Sequence, residues 1–200
     1  MIITISNLYG CGAIAVAHAA AGQLGYEYVD EQLPVIVAKR LQTSPQAVES
    51  AEDAVDSVGD RMLRALESGT PEIAAAPGAT FDEEYLREVR EAVRDYAARG
   101  DAVLIGRGGG AILGRGPGIL RVFMHAPRDW RIGHIVEALG VSQNAAIAEI
   151  DRIDRARAKH IETNYGLKWT DARNYDLCID VAALGTEGAT QAIVAAARAR

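Results

Sequence analysis

The chain has 200 residues, 49% of them hydrophobic, and its 27 acidic and 21 basic residues give a formal net charge of −6. This length and apolar content suit one folded domain and exclude a disordered chain, while the acidic balance argues against broad binding to nucleic acid or anionic membranes. The two cysteines have no metal-binding spacing, and we find no signal-peptide pattern or bilayer-length apolar run, so we expect a reduced, cytoplasmic protein.

The first half of the sequence alternates between short apolar runs and helical patterns. In chain order we predict a strand (1–6), a helix (12–23), a strand (26–30) and a mainly helical stretch (31–68). The Gly-, Pro- and Thr-rich residues 68–82 predict a loop that separates a helical lobe from the main body. An amphipathic helix over 82–98 should follow.

The second half continues the same alternation. In chain order we predict a strand running into a glycine-rich turn (101–113), a strand (119–126), a helix (127–139), a charged helix (142–163), a strand (176–181) and a closing helix (186–199). Ser142 is the expected N-cap of the charged helix, because its hydroxyl can accept a hydrogen bond from the first turn.

Strands that alternate with helices and are almost continuously apolar indicate a mostly parallel sheet covered on both faces. Ligands bind such sheets at the carboxyl ends of the strands. Residues 7–12 and 106–110 come after predicted strand segments, and Asp30 and His125 lie at the ends of predicted strands. We therefore expect them to meet at one edge of the sheet.

The stretch "NLYGCGAIA" over residues 7–15 has the layout of a phosphate-binding loop. Gly10 and Gly12 permit a tight turn of inward-pointing amides, and the following helix adds its partial positive charge. Set against the pattern G-x-x-x-x-G-K-[ST], however, the lysine position is Ala13 and the hydroxyl falls on Ile14 or Ala15. An ordinary strand-to-helix turn remains the alternative.

Six segments occur in an order that resembles one protein family: "ITISNLYGCG", "LGYEYVDEQL", "VLIGRGGGAIL", "LRVFMHAPRDWRI", "DRIDRARAKHIETNYG" and "NYDLCIDVAALG". Together they resemble the cytidylate kinase-like family, relatives of bacterial cytidylate kinase among the nucleoside monophosphate kinases. The resemblance covers nearly the whole chain. It implies a single domain (1–200) with a P-loop NTPase-type three-layer α/β/α fold, a helical NMP-binding lobe at about 40–80 and a helical lid at 142–165.

The resemblance also implies an activity, which is ATP-dependent phosphoryl transfer to a nucleoside monophosphate with CMP or dCMP favoured. ATP and Mg²⁺ are the cofactors it implies, and no protein metal ligands are assigned. The expected partners are small nucleotides rather than nucleic acid or membrane, and a homo-oligomer is compatible with the sequence. Two alternatives stay open: a non-catalytic nucleotide-binding regulatory protein, and a kinase for another small molecule.

By resemblance, the phosphate loop contributes the ATP-binding residues Asn7, Tyr9, Gly10, Cys11, Gly12 and Ala13. Asp30 matches the acid near the monophosphate, and Arg107 in "GRGGG" matches the arginine that meets the acceptor. An aspartate usually follows that arginine, whereas this chain has Gly108. The plainer interpretations are a helix cap for Asp30 and a solvent-exposed turn for Arg107.

The segment "DRIDRARAK" (151–159) matches the lid pattern D-x-x-D-x-x-R at Asp151, Asp154 and Arg157. Lid arginines balance the charge of the transferring phosphoryl group, so the resemblance points to Arg157 first, and then to Arg155 and Lys159, as catalytic cations. Helical spacing also predicts that Asp151 pairs with Arg155. A solvated helix face joined by ion pairs is the alternative.

Overall fold

A computed structural model describes residues 1–30, 32–41 and 78–200. The predicted NMP-binding lobe at 40–80 and the greater part of the mainly helical stretch 31–68 therefore lie outside the described residues. The chain divides into two compact units, one formed by Met1–Asp30 with Arg94–Arg200 and the other by Glu31–Val93.

Five parallel strands form one sheet in the order β2-β3-β1-β4-β5. Their bounds are β1 Ile2–Asn7, β2 Glu27–Val29, β3 Ala102–Ile105, β4 Ile119–His125 and β5 Leu177–Asp180. The central strand β1 pairs Ile5 with Ile105 of β3, and Asn7 with Met124 of β4. The parallel α/β sheet predicted from the apolar runs is confirmed.

The described helices connect these strands. Their bounds are α1 Ala13–Leu24, α2 Gln32–Arg40, α3 Gly78–Arg99, α4 Gly109–Leu113, α5 Arg128–Leu139, α6 Gln143–Tyr165 and α7 Val181–Arg198, with a 3₁₀ turn at Ala172–Asn174. Ser142 caps α6 as expected, because its hydroxyl accepts a hydrogen bond of 3.2 Å from the Ala145 amide.

The sheet is packed on both faces, which explains why its strands lack polar alternation. Ile3 and Ile5 point to one face and share a buried cluster with α1 and α7. Phe123 points to the other face, where it packs against Ile161 of α6 and Trp169. Helix layers on both faces leave the strand ends as the place for a ligand.

The unit Glu31–Val93 is described through α2 and part of α3. The Arg40 Nη1 atom lies 3.8 Å from a Glu88 carboxylate oxygen and 3.9 Å from one of Glu91, and these ion pairs join the two helices.

Two predicted boundaries were wrong. Helix α3 begins at Gly78, inside the predicted loop 68–82, because the Gly and Pro residues end there and no helix breaker follows. The last strand ends at Asp180, whose carboxylate caps α7 by accepting hydrogen bonds from the Ala182 and Ala183 amides. Helix α7 therefore starts before residue 186 and continues past a non-helical Gly185.

Candidate phosphate-binding site

The segments that follow the strands lie at one edge of the sheet, as parallel pairing requires. Residues 8–12 follow the central strand β1, with the segment after β3 on one side and the segment after β4 on the other. Asp30 directly follows β2, Arg107 lies just beyond β3, and His125 ends β4. The predicted convergence on the carboxyl edge is confirmed.

The two glycines of the loop are needed for different reasons. Both have left-handed backbones, with φ values of 78° at Gly10 and 79° at Gly12. A Cβ atom at Gly10 would lie 2.5 Å from the Ile135 Cδ1 atom, whereas one at Gly12 would come no closer than 3.9 Å, to the His134 Nε2 atom. Gly10 is therefore required by packing and conformation, and Gly12 by conformation alone.

The loop presents backbone amides rather than polar side chains. Among the described residues, the amides of Gly10, Gly12 and Ile14 make no hydrogen bond to another protein group. These amides stand at the N-terminus of α1, where the helix dipole favours a negative charge. Such a cradle suits a phosphate without any charge from the loop side chains.

Two side chains of the loop, those of Cys11 and Ala13, pack inward. Cys11 is fully buried, and Ala13, at the lysine position of the motif, is also buried in the core. Burial raises the pKa of the Cys11 thiol to about 11. Cys11 is therefore a small packing residue and not a reactive thiolate at neutral pH.

Charged side chains from α5 and α6 hold the loop. The Arg131 Nη1 atom donates to the Tyr9 carbonyl at 2.9 Å and to an Asp154 carboxylate oxygen at 2.7 Å. The other Asp154 oxygen accepts a hydrogen bond of 2.8 Å from the Tyr9 amide. Both backbone groups of Tyr9 are thus bound by side chains.

Arg157 reaches the same loop from α6. Its Nη1 atom donates to the Asn7 carbonyl at 2.8 Å, and no other hydrogen bond to its guanidinium is found within the described part of the chain. Partial burial lowers the pKa of Arg157, against the opposing influence of Asp154 nearby. This predicted lid cation therefore lies against the phosphate loop.

The other predicted lid cations are placed differently. Arg155 is exposed, and Lys159 is partly buried. The predicted Asp151–Arg155 pair is wrong, because Asp151 accepts two hydrogen bonds from Arg128 of α5, at 2.6 and 2.9 Å. The Arg128 guanidinium donates to both carboxylate oxygens of Asp151, which is the stronger bidentate geometry.

The proposed acceptor residues follow β2 and β3, on one side of the central strand β1. Asp30 accepts a hydrogen bond of 3.2 Å from the Tyr28 hydroxyl. Arg107 has a left-handed backbone with φ 54°, between Gly106 and Gly108, which are also left-handed. A non-glycine residue in this conformation is strained, and such strain concentrates at functional positions.

Gly108 departs from the aspartate that the resemblance leads one to expect. A Cβ atom at this position would lie 3.0 Å from the Tyr165 Cε2 atom and 3.2 Å from its hydroxyl oxygen. The Tyr165 ring, at the end of α6, would have to shift by a few tenths of an ångström to make room for any side chain at position 108. Tyr165 and Gly108 are therefore matched to each other.

The sequence interpretation did not identify Arg131 as a site residue. The only local signal was the spacing of Arg131, which lies four residues before Ile135 in α5. Residues four apart share a helix face, so this spacing places Arg131 on the buried face. Within the described ranges, no group of three or more His, Cys, Asp or Glu side chains could hold a metal ion. No helix of the described residues is long and apolar enough to cross a membrane.

Residues 2–183 match the model of the cytidylate kinase-like family. No curated protein matches the sequence.

Solved structures share the fold at low sequence identity. An uncharacterized protein from Eubacterium ventriosum ATCC 27560 superposes with a TM-score of 0.71 at 20% identity, covering 100% of this chain and 99% of that one. Shikimate kinase from Bacteroides thetaiotaomicron gives 0.55 at 12%, covering 99% and 98%. A gluconokinase from Sinorhizobium meliloti 1021 gives 0.50 at 15%, covering 98% and 91%. The fold is that of P-loop-type kinases.

Proposed function

We propose that this chain, which belongs to the cytidylate kinase-like family, transfers a phosphoryl group from ATP to a nucleoside monophosphate. Its family and fold support a nucleotide or small-molecule kinase. The resemblance favours CMP or dCMP as the acceptor. A cytoplasmic location, with small nucleotides rather than nucleic acid as partners, belongs to the same proposal.

The observation that carries this proposal is the placement of Arg157 against the phosphate loop. A partly desolvated guanidinium is costly unless an anion compensates it. The nearby carboxylate of Asp154 is already bound by Arg131 and by the Tyr9 amide. A phosphate in the cradle would supply the missing negative charge, accepting hydrogen bonds from Arg157 and from the loop amides.

The residues present fit the phosphates of ATP. The amides of Gly10, Gly12 and Ile14 would bind phosphate oxygens, and Arg157 would balance their charge. Mg²⁺ would be held by the nucleotide's own phosphate oxygens with Asp30 nearby, because Ile14 and Ala15 offer no hydroxyl. The ion would supply further charge neutralisation on the phosphates.

The remaining requirement is to position the acceptor. Phosphoryl transfer needs alignment and charge balance more than covalent chemistry. Arg107 would bind the acceptor phosphate through its planar fork, and the rigid left-handed turn at residues 106–108 would fix its direction. Arg155 and Lys159 would contribute charge from α6. We assign them this role from the resemblance.

The test is an assay of ADP release across all common nucleoside monophosphates with ATP and Mg²⁺. We expect turnover with CMP or dCMP, and kcat/KM about 100- to 1,000-fold lower for Arg157→Met, since one catalytic charge is lost. The matched control is Arg152→Met on the same helix. Arg152 pairs with Glu149 at 2.8 Å on the exposed face, and surface pairs of this kind contribute little.

The outcomes separate the proposal from its alternatives. Folded protein that turns over no nucleoside monophosphate would refute it. Equal losses for Arg157→Met and Arg152→Met would refute the assignment of Arg157.

A non-catalytic nucleotide-binding protein is the second candidate, and the residues at 13–15 favour it. Ala13 and Ile14 carry neither the cation nor the hydroxyl that assists transfer. Ala13 is buried, and Ile14 is 63% exposed. Saturable ATP binding by calorimetry, without product and with little dependence on Mg²⁺, would support this candidate.

A kinase for another small molecule is the third candidate, and the contact between Gly108 and Tyr165 favours it. A Cβ atom at position 108, which the expected aspartate would bring, would press on the Tyr165 ring. Hydrolysis of ATP that is stimulated by a small hydroxylated compound, and not by any nucleoside monophosphate, would support this candidate.

A further inference from the structure

The phosphate loop is held by side chains that the proposed chemistry does not use. Arg131 is 6% exposed and Asp154 is partly buried, and their ion pair of 2.7 Å joins α5 to α6 directly beside Tyr9. Neither residue lies in the loop. Both bind its backbone, and no loop side chain takes part in this contact.

These contacts hold the loop backbone in one orientation at Tyr9. The Tyr9 amide donates to Asp154 and the Tyr9 carbonyl accepts from Arg131. The peptide groups before and after Tyr9 are therefore both constrained. The next residue is Gly10, where the Ile135 side chain and the left-handed backbone restrict the chain again.

Arg131 depends on these contacts for its own position. Its Nε atom is buried and has no hydrogen-bond partner among the residues that the structure describes. The Asp154 carboxylate and the Tyr9 carbonyl are thus the groups that orient the guanidinium.

We propose that Asp154 and Arg131 are positioning residues that set the phosphate-binding geometry of the loop. They hold Tyr9 so that the amides of Gly10 and Gly12 are arranged for an anion before the anion arrives. This inference rests on the proposed function in one respect, namely that the loop binds the phosphates of ATP. In loops with a lysine, the lysine contacts the phosphate directly, whereas here side chains from two other helices act through the backbone.

Substitution of Asp154 should change the affinity for phosphate in opposite directions, depending on whether Asp154 acts by positioning the loop or only through its charge. Asp154 is a negative charge beside a proposed anion site. By Coulomb's law alone, its removal should tighten the binding of a phosphate. If Asp154 acts by holding Arg131 and Tyr9, its removal should weaken binding, because the amides lose their arrangement.

The experiment is calorimetric titration of the full chain with inorganic triphosphate and with ATP. We expect Asp154→Asn to raise the Kd for both about tenfold or more. The control Glu149→Gln removes one negative charge from the exposed face of the same helix and should change the Kd less than about twofold. Unchanged or tighter binding by Asp154→Asn would overturn the proposal.

A double-variant cycle tests whether the two residues act together. Because Arg131 and Asp154 serve one contact, Arg131→Met combined with Asp154→Asn should bind triphosphate less than about twofold more weakly than the weaker single variant. Fully multiplicative losses would mean independent roles and would overturn the joint assignment.

Amide hydrogen exchange on the wild-type chain covers the case in which a variant fails to fold. The Tyr9 amide, which donates to Asp154, should exchange at least about 100-fold more slowly than the Gly12 amide. Equal rates would overturn the proposal. Because triphosphate binding needs no turnover, a chain that binds it yet phosphorylates no nucleoside monophosphate would refute only the proposed function.

Discussion

The substitution Gly10→Ala tests the packing of the phosphate loop directly. The added Cβ atom would lie 2.5 Å from Ile135 Cδ1, 2.8 Å from Ile135 Cγ1 and 3.3 Å from the Arg131 carbonyl oxygen. The backbone at this position has φ 78°, which disfavours any side chain. Conformation and sterics should therefore both destabilise the variant.

The magnitude follows from these two contributions. The left-handed conformation costs about 1–2 kcal/mol for a residue with a Cβ atom. Overpacking against Ile135 adds about 1–3 kcal/mol, because the side chain must shift. We therefore expect Gly10→Ala to lower the free energy of unfolding by about 2–5 kcal/mol. Gly12→Ala, where the nearest atoms are 3.9 and 4.0 Å away, should lose only the first contribution.

The assay is urea unfolding followed by circular dichroism, with Ile135→Val as a second substitution. Alone, Ile135→Val removes Cδ1 and should cost about 0.5–1.5 kcal/mol. Combined with Gly10→Ala it should cost less than this, because it relieves the closest contact. We expect a coupling free energy of about 1–2 kcal/mol between the two sites.

Two results would refute the reasoning. One is a loss for Gly10→Ala no greater than that for Gly12→Ala. The other is an equal loss of unfolding free energy for Ile135→Val in the wild-type chain and in the Gly10→Ala variant. Either result would mean that contact with Ile135 does not make the glycine necessary.

Three further predictions concern residues around the sheet edges. Arg107→Gly should relieve the left-handed backbone at this position and raise the KM for the acceptor, because the guanidinium that would bind the acceptor is lost. An unchanged KM would refute the proposed role of Arg107. Ellman's reagent at pH 8 should modify only the exposed Cys178 in the folded chain, and Cys11 only after denaturation. Cys11 should be unreactive because it is buried and because burial raises its pKa to about 11. Two reactive thiols in the folded chain would contradict this prediction. Burial alone would raise the pKa of Asp176, but hydrogen bonds from Arg121 outweigh it and hold the pKa at about 2, below the usual 3.8. Its stabilisation should therefore be complete above about pH 4 and lost as the pH falls toward 2, so Asp176→Asn should flatten that part of the acid-unfolding curve, and an identical curve would contradict the assignment.

Much of the fold could be predicted from the sequence because its signals are local. The run that became β1 begins with five consecutive apolar or β-branched residues, and β4 is apolar except at Arg121 and His125, as burial on both faces requires. Ser142 marked the start of α6 because capping depends on neighbours in the chain. The sheet edge that collects the loops then follows from parallel pairing.

The site was less predictable because its contacts join residues distant in sequence. Tyr9 and Asp154 are 145 positions apart, and Arg131 is 122 positions from Tyr9. Only its register with Ile135 distinguishes Arg131 locally from an exposed arginine such as Arg128. Likewise, helical spacing suggested Arg155 as the partner of Asp151, whereas the packing of α5 on α6 supplied Arg128.

The burial of Ala13 has a consequence for any attempt to repair the loop. The missing lysine looks like a gap that one substitution could fill. Ala13 is only 3% exposed and belongs to the same buried cluster as Val16 and Ala17, so its side chain points into the hydrophobic core. Installing Lys there would press an ammonium group into packed hydrocarbon. In the proposed site, the loop recognises phosphate through backbone amides whose positions depend on main-chain torsion angles, which a motif of side-chain types does not record.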